Sequence, residues 1–275
     1  MTTKPIVVGT DGSAEALRAV EWAAREASLR GASLQIVSAA EMLPRMTMPP
    51  QAVDIETVSS HLSKERDRAL AAAASAAAAT APNLPIETGQ LDGPPAQAVT
   101  RSGSDALMLV VGSHGSGAFE AMTLGSVSRY AAVHASCPVV VVRGEASATH
   151  RLVAVGIRDP QDCNAALTFA FEAAQLRKAA LLAVHAWQSR NSHAAEARAV
   201  SELTDLLTDW REKYPDVDAG QRVVRGHPGR VLADLSDSAD LVVLGRHGRP
   251  MPSPARVIHA VVSHAHGPVV TVPSA

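Results

Sequence analysis

The stretch IVVGTDGSAEALRAVEWAAREASLRGASLQIV, residues 6–37, reads as a β-α-β unit. It opens on the β-branched run Ile6-Val7-Val8, passes Gly9, and continues as an Ala-rich segment into a second apolar run, Leu34 to Val37. Alanine favours helix and short β-branched runs favour strand. Strand, helix and strand in that order imply a parallel crossover.

The same unit occurs a second time. At a constant offset of 147 residues, Ile6 to Gly9 falls on Val153 to Gly156 and Trp22-Ala23 on Phe169-Ala170. Leu29-Arg30 falls on Leu176-Arg177, and Leu34 to Val37 on Leu181 to Val184. Further along, Gly93-Pro94-Pro95 matches Gly226-His227-Pro228, and Leu109 to Gly112 matches Val242 to Gly245, both at an offset of 133. Cys137-Pro138-Val139-Val140 matches Gly267-Pro268-Val269-Val270 at 130, so the second copy is shorter. A chain of 275 residues is also long for one core. We expect two domains, residues 1–145 and 150–275, joined near Glu145 to His150.

In the first copy the apolar runs predict strands near 5–10, 33–39, 85–91, 106–111 and 138–142, with helices near 14–30, 56–81, 94–102 and 124–135. In the second they predict strands near 151–157, 180–186, 221–225, 240–244 and 268–272. The strands do not alternate polar and apolar residues, as suits a sheet covered on both faces. The expected class is α/β: two tandem Rossmann-like, doubly wound, parallel five-stranded sheets of order 3-2-1-4-5. Pro44, Pro49 and Pro50 mark a loop after the second strand, and the Ala tract 71–80 is read as helix.

Composition narrows the function. Hydrophobic residues make up 47% but aromatics only 3%, so the interior is built from small aliphatic side chains. A formal net charge of -2 argues against a nucleic-acid partner held by bulk electrostatics. The two cysteines, Cys137 and Cys163, form no CxxC pair, which fits a reducing compartment. MTTKPIVVGT carries no signal pattern, and no run approaches a membrane span, so the expectation is a soluble, cytoplasmic protein without a membrane partner.

Chemistry concentrates after the fourth strand. Val111-Gly112-Ser113-His114-Gly115-Ser116-Gly117 is followed, with nine residues between Gly115 and the next motif glycine, by Gly125-Ser126 and an apolar-periodic helix. A triphosphate packed against backbone N–H groups needs neighbours without Cβ atoms, which Gly112, Gly115 and Gly125 supply. A helix starting near Ser126 would turn its positive end to the anion. Asp11, at the end of the first strand, would face this loop across the switch point. There it would accept from ribose hydroxyls or help hold a metal on the phosphates. Its competing role is to cap the first helix. His114 is either a phosphate contact or gate, or an exposed loop residue. No P-loop Lys lies between Gly112 and Ser126, and no paired carboxylates or activated nucleophile accompany Asp11, so efficient hydrolysis is not expected.

The pattern G-x2-G-x9-G-S at Gly112, Gly115, Gly125 and Ser126, together with VGTDGS at 8–13, resembles the universal stress protein family. The duplication resembles the tandem-domain members of actinobacteria. The resemblance implies an ATP-binding, stress-related regulator that dimerises, or pairs its own domains, through fifth strands. It also implies that the backbone at Ala39 meets adenine and that Val127 joins Ser126 at the phosphates. Magnesium would accompany the nucleotide, and an unidentified regulatory protein would be the partner.

The second copy departs from this pattern. Gly245-Arg246-His247-Gly248 keeps two glycines, but anchoring on Pro268 places Ala255-Arg256 where Gly125-Ser126 stand. Pro250, Pro252 and Pro254 are expected to stiffen that loop, and Arg158 replaces Asp11. Ordinary ATP binding is therefore not expected there. Arg158, Arg246, Arg249 and Arg256 could form a different anion site, or simply face water or acidic neighbours. His259, His264 and His266 lack complementary ligands for a metal.

Val139 to Val142 and Val269 to Val272 are apolar edge candidates needing cover. Pairing of the two copies would supply it; homodimerisation of the whole chain is the other option. A non-catalytic ATP-binding regulator is the preferred function. A slow ATPase, or a binder of another nucleotide such as cyclic AMP, is the alternative.

Overall fold

A computed structural model describes residues 4–40, 55–115, 124–144, 149–187, 193–246 and 252–274. The Pro44, Pro49 and Pro50 loop, most of the joining segment, and the residues around His247, Gly248, Arg249 and Pro250 lie outside them. The chain divides into two compact units, Met1–Val139 and Val140–Ala275.

In the first unit, strands β1 (Ile6–Gly9), β2 (Leu34–Ala40), β3 (Ile86–Asp92) and β4 (Met108–Gly112) stand in the order β3-β2-β1-β4. All three pairings are parallel. The helices between them are α1 (Ala14–Arg30), α2 (Ile55–Thr80) and α3 (Pro95–Ser102); α4 (Ser126–His134) follows β4. Strand β5 (Val139–Val142) begins at the division between the units, just after Pro138 O accepts the Leu109 N–H at 2.9 Å. Right-handed crossovers moving outward through β1, β2 and β3 put α1 and α2 on one face. The reversal from β3 to β4 puts α3 and α4 on the other. In keeping with this, α1 packs on α2, and α3 on α4.

The second unit repeats the plan in the order β10-β9-β6-β7-β8, all parallel. Its strands are β6 (Leu152–Gly156), β7 (Ala180–Trp187), β8 (Ala219–Arg225), β9 (Leu241–Arg246) and β10 (Val269–Pro273). Its helices are α5 (Asn164–Arg177), α6 (His193–Lys213), α7 (Pro228–Leu235) and α8 (Pro252–His264). Pro95 and Pro228 each start a helix, where the missing N–H costs nothing.

Small side chains let these layers approach. On α1 the buried residues include Ala16, Ala19, Ala23, Ala24 and Ala27, and β1 is wholly buried through Ile6, Val7 and Val8. Helix α2 presents Leu70 and, from the Ala tract, Ala73 and Ala77 to the core at helical spacing. The edge strand β3 has no fully buried residue; Ile86, Gly89 and Leu91 are half-buried and the others exposed. In the second unit larger rings do this work: Phe171 is fully buried and stacks on Trp210 and Tyr214 at 5.4 and 5.1 Å.

The copies differ where their first helices begin and end. Ser13 caps α1, its hydroxyl accepting from Ala16 N at 3.3 Å, and Gly12 takes the turn at φ 82°. In the second unit a short 3-10 turn, Pro160–Asp162, precedes α5, which has no side-chain cap. At the other end Gly31 closes α1 in the left-handed region, and Lys178 takes the same position after α5 at φ 50°.

Candidate functional site

At the carboxyl ends of β1 and β4 lies a cleft of about 560 Å³. A strand order that reverses there pulls the flanking helices apart and leaves a crevice. All eight residues singled out for binding line it: Asp11, Ala39, Gly112, His114, Gly115, Gly125, Ser126 and Val127.

The β1 end is shaped by a chain of short-range bonds. Thr10 N–H donates to Val37 O at 2.8 Å, carrying the ladder one residue past β1. Gly12 N–H donates to Thr10 Oγ1 at 3.2 Å, and Ser13 N–H donates to Asp11 Oδ1 at 3.0 Å. Asp11 thus holds an Asx turn ahead of α1, while the cap itself is Ser13. Its other oxygen faces the glycine loop: a Cβ built on Gly115 would stand 2.5 Å from Asp11 Oδ2.

The three loop glycines do not share one purpose. A Cβ on Gly112 would lie 2.9 Å from both the carbonyl carbon and oxygen of Glu15, so glycine there lets β4 approach the start of α1. A Cβ on Gly125 would meet Ser113 O at 3.3 Å and His114 Cα at 3.4 Å. Both missing side chains point into protein rather than into open cleft. The requirement at 112 and 125 is therefore backbone packing, which differs from the expectation that all three clear space for phosphate.

Short hydrogen bonds join the ends of the loop across residues 116–123, which lie outside the described residues. Gly125 N–H donates to Ser113 O at 2.8 Å, and the buried Ser128 hydroxyl donates to Gly112 O at 2.6 Å. Ser128 was not singled out in the sequence, although a hydroxyl on the buried face of an apolar-periodic helix is a signal that it has a partner. Thr10, Pro95 and Val99 also line the cleft and carried no distinguishing pattern.

These ties fix where α4 begins. Its cap, Gly125, offers no side-chain hydrogen bond. The first-turn N–H groups from Ser126 onward keep the unsatisfied donors and partial positive charge of a helix start. His114 contributes a second demand. Its Nδ1 lies 3.0 Å from Ser113 Oγ, and its Nε2 is buried without a hydrogen-bond partner among the described residues. On the β2 side, Val37 O points toward β1, and successive residues of a strand alternate sides. Ala39 therefore turns its peptide groups toward the space where β1 has ended. A nucleotide fits these residues: donors for phosphate, a carboxylate for hydroxyls, and free strand backbone for a base edge.

In the second unit the matching cleft measures about 200 Å³. Strand β9 keeps the place of β4, but α8 begins four residues before the position equivalent to Ser126, which is Arg256. Pro252 and Pro254 lie in the first turn of α8, not in a loop as the sequence suggested; a first turn tolerates residues without N–H. The amides equivalent to the open first turn of α4 are consequently interior to a helix and committed to it. Of the four arginines grouped as an anion site, Arg158 lines this cleft, Arg246 and Arg256 do not, and Arg249 lies outside the described residues. His266 instead meets Asp237 at 2.9 Å, and His264 Nδ1 lies 2.8 Å from Ala260 O. Among the described residues no cluster of three or more His, Cys, Asp or Glu is placed to hold a metal.

The comparisons with known proteins agree with this duplication. The pattern described as the Universal stress protein family matches residues 2–143 and again 150–273. Universal stress protein Rv2623 of Mycobacterium tuberculosis is 34% identical over 89% of this chain and 86% of its own length. Universal stress protein MT2052 of the same species is 32% identical over 98% of this chain and 95% of its own. Among solved structures, a universal stress protein from Archaeoglobus fulgidus superposes with a TM-score of 0.75 over 99% of both chains, at 16% identity, which speaks to the fold alone. Two family matches on two copies of one strand order leave a single conclusion: the chain belongs to the universal stress protein family.

Proposed function

We propose that this protein is a non-catalytic, cytoplasmic regulator of a stress response that holds one ATP in its first unit. The observation that carries the reading is a convergence. Asp11 Oδ2, the Cβ-free face of Gly115 and the open first turn of α4 meet at one cleft of about 560 Å³. That volume lies within the range of about 300–1,000 Å³ typical of small-molecule sites.

Each residue has a part in this reading. The N–H groups of Ser126 and Val127 bind phosphate oxygens, with His114 Nε2 as a further polar contact. Asp11 accepts from ribose hydroxyls or, with magnesium present, orients the metal on the phosphates. Ala39 presents backbone groups to adenine. Asp11 is the single carboxylate among the described residues lining the cleft, so a base for attacking water is not paired with it. Occupancy then changes the surface around α4 that a regulatory partner meets.

The test is the stoichiometry of bound nucleotide on the intact chain. About one adenine nucleotide per chain is expected, lost in Asp11→Ala and unaffected by Arg158→Ala. Two per chain, or none at saturating ATP, would overturn the reading. Steady phosphate release that needs both magnesium and Asp11 would replace it with a slow ATPase. Tighter binding of cyclic AMP than of ATP would replace it with a cyclic-nucleotide sensor.

A further inference from the structure

The cleft of the second unit has been rebuilt rather than erased. Thr10 and Asp11 of the first copy correspond to Ile157 and Arg158, and Ser128 corresponds to Ile258. Val99 corresponds to Leu232, whose Cδ1 would be 2.8 Å from a Cβ on Gly156. Ile157, Leu232, Leu244 and Ile258 are all buried, at 4 to 5% exposure. The larger crevice of the first unit is matched here by a small hollow walled mainly by aliphatic side chains.

Among the described residues, two side chains with polar atoms line it, His185 and Arg158. His185 Nδ1 lies 3.0 Å from Ile157 O, a carbonyl that can only accept, so this nitrogen carries the proton. Its hydrogen bond fixes the ring beside the hollow. Arg158 is exposed and makes no ion pair among the described residues. An arginine that lines an aliphatic hollow and has no ion pair among the described residues offers an anionic head a partner, and Arg suits a carboxylate because both are planar and bidentate.

We infer that the second unit binds a small carboxylic acid with a short branched apolar body, its carboxylate on Arg158 and its body among Ile157, Leu232, Leu244 and Ile258. At about 200 Å³ the hollow lies below the range of about 300–1,000 Å³ typical of sites for larger ligands, a nucleotide among them. An apolar cavity of about 150 Å³ takes a benzene, so a hollow of about 200 Å³ takes a ligand of similar or slightly larger size. A five-carbon branched acid fills it. The inference does not depend on ATP occupying the first unit.

Isovalerate is the probe, titrated into the full chain and followed by backbone amide NMR. Saturable shifts are expected at Gly156 to Arg158, Val184 to Ala186, and Val257 and Ile258. Arg158→Gln should weaken the affinity by about tenfold or more, since it removes a charge-assisted pair, and Arg158→Lys should retain part of it. Because Arg158 is exposed, both variants should keep the remaining spectrum. The inference is overturned if isovalerate gives no saturable shifts. It is overturned equally if isopentanol binds as tightly, if Arg158→Gln binds unchanged, or if ATP saturates the same resonances.

Discussion

Gly115 and Asp11 face each other across the mouth of the first cleft, so closely that a Cβ on Gly115 would stand 2.5 Å from Asp11 Oδ2. The carboxylate belongs to an Asx turn at the end of β1, and the glycine to the loop after β4. Their proximity makes the loop sensitive to one added side chain while the sheet beneath it is not.

Gly115→Val should therefore separate binding from folding. Among the described residues the added Cβ meets only the carboxylate of the exposed Asp11, so the unfolding midpoint without nucleotide should hardly move. ATP affinity should fall by about tenfold or more, the equivalent of roughly 1.4 kcal/mol. Calorimetric titration beside a thermal melt checks both. Full affinity in this variant would remove Gly115 from the site.

Gly112→Ala should do the opposite. Its Cβ would press, at 2.9 Å, on the Glu15 backbone, which cannot swing aside as a side chain can. Overpacking of this kind costs about 1–3 kcal/mol, readable as a lower urea midpoint. An unchanged midpoint would show that α1 and β4 have room to spare.

Ser128→Ala removes the buried donor to Gly112 O and leaves that carbonyl one hydrogen bond short. A loss of about 1–3 kcal/mol is expected. ATP affinity should weaken with it, because this bond helps hold the start of α4 against the end of β4. Measuring both on one variant tests whether the tie serves stability alone.

Cys163 gives a pH signature. Burial pushes its thiol from 9.0 up to about 11, with the carboxylates of Asp159 and Asp162 adding to the rise. At neutral pH the thiol is protonated in both states. Above its unfolded value the unfolded chain ionises while the native one does not, so stability falls as pH rises between 9.0 and about 11. The slope approaches about 1.4 kcal/mol per pH unit. Cys163→Ala should lose that slope, which denaturant titrations across the window would reveal.

Lys178 holds a left-handed conformation at φ 50° where the first copy has Gly31. Lys178→Gly relieves the Cβ clash of that region and should stabilise the second unit by about 1 kcal/mol. A lower midpoint would mean that the lysine side chain contributes more than its backbone costs.

Much of this was legible in the residues themselves. Apolar runs such as Ile6 to Val8 and Val242 to Leu244 are short, unbroken and separated by helical segments, which identifies buried parallel strands. Duplication fixed the number of copies, and the glycine spacing with Asp11 located the cleft. The spacing did not distinguish a glycine that faces a neighbouring backbone from one that faces the cleft. Gly112 and Gly115 look alike in sequence and differ only in what lies across from each.

The sequence by itself determined the class of fold, the repeat and the side of the sheet where chemistry gathers, because periodicity and helix propensity act through near neighbours. Tertiary structure alone decided that Ser128 ties α4 to β4, that α8 starts four residues early through Pro252 and Pro254, and that the second cleft shrinks to about 200 Å³. Those outcomes depend on which atoms meet across tens of residues of chain. Such meetings are settled by packing, which no local pattern records.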